Sequence, residues 1–257
     1  MDYLNINKIS WDKRAKIHVD SEFYDVEGFL GGGSSLQDIE IRELGEVSGK
    51  TLLHLQCHFG LDTLSWARLG ADVTGVDLSS VAIDTAKLLS LQLGLESRFI
   101  CADLYRFGDE FDGEYDVVFT SYGALCWLPD IHRWAATVAR CLKPGGTFYI
   151  AEFHPFYDIF FGYSYFHLTD PDVEEAGTYT ENGQAEKLTL ATWAHPISDV
   201  VNALIEAGIE IIQLNEYPYS PYNCFDGMEE RDRGRFYLSH KGYDIPLIYT
   251  IKGVKRE

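Results

Sequence analysis

The clearest chemistry in this chain lies between Thr51 and Asp77, which read TLLHLQCHFGLDTLSWARLGADVTGVD. Asp77 ends a short apolar run, Val73 to Val76, and a carboxylate so placed can accept two hydrogen bonds from a vicinal diol. An earlier apolar run, Thr51 to Leu55, leads into a tight turn closed by Gly60. Leu61, Leu64 and Ala67 then recur at helical spacing until Gly70 stops the pattern. Strand, glycine turn, helix, strand and terminal acid make one βαβ unit. A unit of this form brings a helix N-terminus and a carboxylate to one edge of a parallel sheet, where a nucleoside-bearing cofactor binds. For proton transfer the best-placed groups are Glu152 and His154, at the exit of a later strand-like run, since a histidine near neutrality suits a general base. A plain loop start before Pro155 is the alternative role for His154. No GxSxG, HExxH or paired-cysteine signature occurs.

The elements that must position these groups alternate. Ser79 or Ser80 caps a helix to about Leu93, with Gly94 as its stop. Arg98 to Cys101 is a third strand, and Phe107 to Glu114 reads as a polar connection. Tyr115 to Ser121 is a fourth strand, continuous enough for a sheet covered on both faces. Asp130 opens a helix that Lys143-Pro144-Gly145-Gly146 breaks, and Thr147 to Phe153 is a fifth strand. This alternation predicts a doubly wound α/β fold with a mostly parallel sheet. Residues 1–34 contain no clear core element; Gly31 to Gly33 make a joint, and Ser34 with Gln37 fits a capping box before an amphipathic helix. After the fifth strand an aromatic run holds Phe156, Tyr157, Phe160, Phe161, Tyr163, Tyr165 and Phe166, and Asn182-Gly183 reads as a hairpin turn. Ser198 caps a further helix, followed by strands over Ile209 to Leu214 and Pro246 to Ile251. One domain is expected: an N-terminal arm and helix lid over 1–48, a cofactor-binding core over 49–153, a substrate or dimer insertion over 154–196, and C-terminal strands over 197–257.

Composition narrows the partners. The formal charge of −19 over 257 residues repels a polyphosphate backbone and an anionic membrane, so a small molecule is the expected partner. The longest apolar runs are strand-length, too short to cross a bilayer, and MDYLNINKISWDKRAK lacks an apolar signal region. Five cysteines, at 57, 101, 126, 141 and 224, are scattered without pairs. They suit reduced thiols in a cytoplasmic protein, with neither a disulfide framework nor a metal site.

The order of these motifs resembles the class I S-adenosylmethionine-dependent methyltransferases, well over residues 51–153 and more weakly over 196–253. LLHLQCHFG is similar to the first motif of that family and matches a variant seen in bacterial members. Asp77 stands at the ribose-binding acid, Ala102-Asp103-Leu104 at the adenine-binding position, and YDVVFTSYGALCWLPD with LKPGGTFYIAEF at the fourth strand, helix and fifth strand. The family's usual acid at the end of the first strand is His54 here, and Gln56 and His58 replace two of three turn glycines. Side chains there demand either a wider turn or direct contacts to the methionine end of the cofactor.

The resemblance implies a Rossmann-like fold with a seven-stranded sheet, S-adenosyl-L-methionine as cofactor, and methyl transfer to a small-molecule acceptor by in-line displacement. It places Gln56, Cys57, His58 and Gly60 along the turn, Asp77 and Leu78 at the ribose, and Ala102, Asp103 and Leu104 at the adenine. Ser121 and Tyr122 face the sulfonium side, and Trp11, His18 and Tyr24 cover the cofactor if the arm folds over. Helix and loop capping are the alternative roles for Asp77 and Asp103. Catalysis of this kind needs collinear positioning more than a base. Two other readings stand beside it: a fold that binds the cofactor without turnover, and an NAD-dependent oxidoreductase, against which the turn is not GxGxxG. The aromatic and hairpin insertion is a candidate homodimer surface.

Overall fold

The structure, a computed structural model, describes residues 2–110, 113–183 and 185–256. The first half of the chain builds β1 (Thr51–Leu55), β2 (Asp72–Asp77), β3 (Ser97–Cys101), β4 (Tyr115–Ser121) and β5 (Leu142–Phe153). A hairpin of β6 (Asp172–Ala176) and β7 (Leu188–Thr192) follows, then β8 (Ile209–Tyr217). Short strands β9 (Tyr219–Ser220), β10 (Glu229–Asp232), β11 (Arg235–Tyr237), β12 (Ser239–His240) and β13 (Tyr243–Asp244) precede β14 (Ile248–Lys255). The seven-stranded sheet runs β3-β2-β1-β4-β5-β14-β8. Its first five strands are parallel, and β14 is antiparallel to both neighbours. The order reverses between β1 and β4, so their carboxyl ends open the crevice in which ligands of doubly wound folds bind.

The helices are α1 (Tyr3–His18), α2 (Val26–Leu30), α3 (Asp38–Leu44), α4 (Leu61–Arg68), α5 (Ser80–Leu93), α6 (Leu104–Glu110), α7 (Ile131–Cys141) and α8 (Ile197–Glu206). Alternate residues of the strands serve opposite faces of the sheet. Leu53, Leu55, Val118, Phe148 and Ile150 pack with α6, α7 and α8. Leu52, Val117, Phe119, Tyr149 and Ala151 pack with Leu44 and Trp66 of α3 and α4. Both faces are covered, which is why these strands read as continuous apolar runs.

Several sequence expectations need correction. Residues 1–34 contain a sixteen-residue helix, α1. Its buried residues are Asn7, Ser10, Arg14, Ala15 and His18, so a polar stripe faces inward and apolar periodicity cannot reveal it. The capping box before α3 pairs Gln37 with Glu40: the Gln37 amide donates to Glu40 Oε1 at 2.6 Å, and Ser34 is not the cap. Pro196, and not Ser198, occupies the N-cap of α8. β5 begins at Leu142, with LKPGG forming an irregular start to the strand. The polar connection expected from Phe107 begins as helix α6, and residues 111 and 112 lie outside the described ones. Gly108 sits there against α7, where an added Cβ would lie 2.5 Å from Thr137 Oγ1.

Asn182-Gly183 is not a two-residue hairpin turn, because the β6–β7 ladder closes at Ala176↔Leu188. The loop between is wide because it grips the N-terminal arm. Asn7 exchanges two hydrogen bonds with the Ala191 backbone, at 2.7 and 2.9 Å. Asn182 Nδ2 donates to the Ile17 carbonyl at 2.9 Å, and the Glu22 amide donates to Glu181 Oε1 at 2.6 Å. Arm and hairpin thus form one body over the carboxyl edge of the sheet. Gly108→Ala is expected to destabilise the protein by about 1–3 kcal/mol through overpacking between α6 and α7, read by urea unfolding; an unchanged midpoint would mean the two helices can part without cost.

Candidate active site

The turn after β1 sets the geometry. Gln56, His58 and Gly60 have φ of 57°, 51° and 81°, so the two replaced glycine positions keep the left-handed backbone that glycine would favour. The turn is tight: the Cys57 amide donates to the Val76 carbonyl at 3.0 Å and the Gly60 amide to the Cys57 carbonyl at 2.9 Å. At Gly60 a Cβ would press to 2.7 Å from the Phe99 ring, so glycine is required there twice over, by φ and by space. Asp77 holds the turn from β2, accepting from the His58 amide and the Ser79 amide, both at 2.8 Å. Burial pushes its pKa up to about 6, against the lowering effect of those two amides. Each oxygen takes one N–H and keeps a lone pair for a ligand.

A cavity of about 620 Å³ opens beside this turn. Gln56, Cys57, His58, Gly60, Asp77, Leu78, Ala102, Asp103, Leu104, Ser121 and Tyr122 line it, together with Trp11 and Tyr24 from the arm. Asp103 also caps α6 through the Tyr105 amide at 3.0 Å. Three buried atoms of the lining residues have no protein partner, Arg14 Nε, Gln56 Oε1 and His58 Nδ1. Gln56 Nε2 donates to the Ala124 carbonyl at 2.7 Å, which fixes the side chain.

Three expected residues lie outside the lining. His18 is fully buried behind it, with Nδ1 2.9 Å from His58 Nε2 and Nε2 2.5 Å from Thr178 Oγ1; it positions His58. Glu152 turns its carboxylate onto the amides of Gly123, Ala124, Leu125 and Phe153, bracing the loop after β4. His154 accepts from the Phe156 amide at Nδ1 (3.1 Å), and its Nε2 meets Glu216 Oε1 at 2.8 Å. Both ring nitrogens are engaged away from the cavity, so neither Glu152 nor His154 is placed to take a substrate proton.

Other residues come into view only in the structure. His54 replaces the family acid, and burial pushes its pKa down to about 4. It contacts Thr63 Oγ1 at 2.9 Å and Ser121 Oγ at 3.3 Å. The carboxylate instead comes from Asp62 in the first turn of α4, which accepts from Ser121 Oγ at 2.9 Å and Ser35 Oγ at 2.6 Å and lines the cavity. An acid directly after Gly60-Leu61 was the available signal. Phe23, Tyr179, Tyr222, Phe153 and Phe225 supply an aromatic wall, with Phe23 5.3 Å from Tyr179 and 5.6 Å from Tyr222 between ring centroids. Tyr122 stacks edge-on against Tyr222 at 5.1 Å and donates to Glu40 Oε2 at 2.8 Å. No group of three or more His, Cys, Asp or Glu among the described residues could hold a metal ion, and no described helix is long and apolar enough to cross a membrane.

A doubly wound sheet whose switch-point crevice carries an acid-ended βαβ unit is the frame of a nucleoside-cofactor protein. Residues 53–150 match the family model of a methyltransferase domain. The ubiquinone biosynthesis O-methyltransferase of Shewanella pealeana is 36% identical over 102 residues, 40% of this chain and 43% of that protein. That of Saccharophagus degradans is 26% identical over 227 residues, 86% of this chain and 90% of that protein. The strongest of these local matches span about half the length of the relatives concerned. An S-adenosylmethionine-dependent methyltransferase from Clostridium acetobutylicum shares the fold, with a TM-score of 0.59 and 15% identity over 98% of this chain and 99% of that one. The family match lies within residues 53–150, and the chain as a whole shares the fold of solved S-adenosylmethionine-dependent methyltransferases. S-adenosylmethionine is the cofactor named for those structures, and the site here suits it: a buried acid with spare acceptor capacity, an unpartnered Gln56 Oε1, and Asp62 on one wall.

Glu40 generates a prediction. It is fully buried and burial pushes its pKa up to about 8, from an ordinary 4.5. Its contribution to stability is therefore complete below the unfolded value and is lost as pH rises through about 8. Glu40→Gln should gain on the parent protein as pH rises from about 5 to 8, by up to about 1.4 kcal/mol per pH unit. Urea unfolding across that range checks it, and a pH-independent difference would mean that Glu40 does not titrate there.

Proposed function

We propose that this protein transfers the methyl group of S-adenosylmethionine to a hydroxyl of a small, flat acceptor. The observation that carries the reading is that one cavity joins two unlike halves: the left-handed turn with Asp77 on one side, and the aromatic wall of Tyr122, Phe153, Tyr179 and Tyr222 on the other. The aromatic half suits a planar ring. Oxygen as acceptor atom is favoured by the relatives, whose names are those of O-methyltransferases.

When bound, the cofactor supplies a methyl group already activated by the positive sulfonium. The protein's share is positioning and charge. Asp77 accepts from the ribose hydroxyls, and Asp103 accepts from the adenine amine. Gln56 Oε1 and Asp62 accept from the ammonium of the amino-acid end. Ser35 and Ser121 hold the Asp62 carboxylate in place. Tyr24, bonded to Tyr179, ties the arm to the hairpin across the top of the site and excludes water from it. Tyr122 and Tyr222 set the plane of the acceptor ring.

The test is calorimetric titration with S-adenosylhomocysteine, followed by methylation assays over a panel of phenols. Binding should weaken by about tenfold per pH unit below about pH 6, as Asp77 takes up its proton and loses its capacity to accept. Asp77→Asn should weaken binding by about 1–3 kcal/mol and abolish that pH dependence. An unchanged affinity in Asp77→Asn would remove the ribose assignment. Strong binding with no product from any phenol would favour a protein that holds the cofactor without turning it over.

A further inference from the structure

We propose that Tyr122 takes the proton of the acceptor hydroxyl and passes its own to Glu40, a relay that rests on reading this cavity as the site of methyl transfer to oxygen. Tyr122 stands where the two halves of the cavity meet. Its neighbour Ser121 bonds Asp62 on the cofactor side at 2.9 Å, and its own ring meets Tyr222 on the acceptor side at 5.1 Å between centroids. The residue is held firmly there. Its amide donates to the Ala151 carbonyl at 2.8 Å, and Glu152 grips the amides of Gly123, Ala124 and Leu125 just beyond it. Its φ is 21°, where a residue with a side chain rarely sits unless its surroundings fix it. The Tyr122 hydroxyl donates to Glu40 Oε2 at 2.8 Å. That spends its one hydrogen and leaves an oxygen lone pair to accept another.

Glu40 lies one layer behind the lining and has no exposed surface. Capping accounts for half of it: Oε1 accepts from the Gln37 amide at the start of α3. A capping carboxylate works as well in water, so capping explains neither the burial nor the second oxygen, which reaches a tyrosine 82 positions away. Among the described residues Glu40 forms no ion pair. The titratable groups that face it are Asp62 of α4, Tyr122 after β4, Tyr149 of β5 and Tyr222 after β9, with no cation among them. Burial and Asp62 raise its pKa to about 8, so the carboxylate holds a proton well once it has one. Burial and the charge of Glu40 hold the Tyr122 phenol well above its ordinary value, so the tyrosine hands a proton on without ionising. In the step itself, a bond forms between the acceptor oxygen and the methyl carbon while the carbon–sulfur bond breaks and its electrons stay on sulfur. The acceptor proton moves to Tyr122 Oη as the tyrosine proton moves to Glu40 Oε2. The positive sulfonium and the negative carboxylate both end neutral, a change that a dry site favours. Tyr122 is the catalytic residue of this step, and Glu40 acts through it.

The test measures kcat and KM against pH for wild type, Tyr122→Phe, Glu40→Gln and the double variant, with S-adenosylmethionine saturating and the best acceptor of the phenol panel. Melting curves and S-adenosylhomocysteine titrations establish that each variant folds and holds the cofactor. Wild-type kcat should rise about tenfold per pH unit and level off near pH 8, where Glu40 ionises. A phenol ionising by itself would carry the rise on to about pH 10. Each single variant should lose about 100- to 10,000-fold in kcat with KM changed far less, and should lose the break near pH 8. The double variant should be no worse than either single one, because the two halves of one relay fail together. Should Glu40→Gln fail to fold, the rate and profile of Tyr122→Phe decide. A break near pH 8 kept in Glu40→Gln, a wild-type rate in Tyr122→Phe, losses that multiply in the double variant, or a wild-type profile without the break overturns the relay and leaves methyl transfer standing. A matching loss of S-adenosylhomocysteine affinity would make the pair a brace of the loop and also overturns it. Cofactor binding in wild type with no product from any phenol overturns the relay together with the reading it rests on.

Discussion

One hydrogen bond ties the site together, from the His58 amide to Asp77 Oδ2 at 2.8 Å. It joins the carboxyl ends of β1 and β2 and closes the turn from Gln56 to Gly60. Holding a residue with a side chain in the left-handed region costs about 1 kcal/mol or more, and Gln56 and His58 both carry that cost. The compensation is local. Gln56 is anchored to the loop after β4 through the Ala124 carbonyl, and the His58 ring packs under Trp11 and beside His18. The side chains that replace glycine connect the turn to its lid.

The lid is unusual in being polar where it is buried. α1 turns Asn7, Ser10, Arg14 and His18 inward, and each of Asn7, Arg14 and His18 finds its partner on the β6–β7 hairpin. A greasy helix would have docked as firmly but would have walled the cavity with hydrocarbon. A polar one is fixed to the hairpin by directional hydrogen bonds, which set its position over the cavity. Asp12 adds a tie on the other side, accepting from Ser79 Oγ at 2.7 Å at the start of α5.

The sheet was legible in the sequence because burial on both faces makes its strands continuous apolar runs between glycine and capping signals. β1 and β4 have the predicted ends, and Ser79 and Gly94 bound α5 as expected. The turn and the strand-ending position of Asp77 were legible because their spacing is fixed by the βαβ unit, whereas Asp103 was singled out by the resemblance alone. Three things were hidden. α1 has no apolar stripe to give it away. Arg14 and the ring wall are gathered from segments far apart in sequence, and no local pattern reports such convergence. His154 and Glu152 had suitable chemistry beside the right strand, but residue type does not report partners from distant segments, and both are bound to bracing groups, Glu152 to the amides after β4 and His154 to Glu216.

The grip between arm and hairpin also bears on the order in which the molecule assembles. Its hydrogen bonds span 155 to 184 positions of sequence, whereas the ladder from β1 to β5 pairs segments close along the chain. Contacts of long span meet the full entropy of closing a large loop and form after the local ones. The sheet can therefore be complete while the lid is still open. The same separation makes arm and hairpin a cooperative unit of their own, able to detach without breaking a strand pairing of the large sheet. Amides of α1 should then exchange with solvent far sooner than those of β1 and β4, and each exchange event is also an opening through which a ligand can pass.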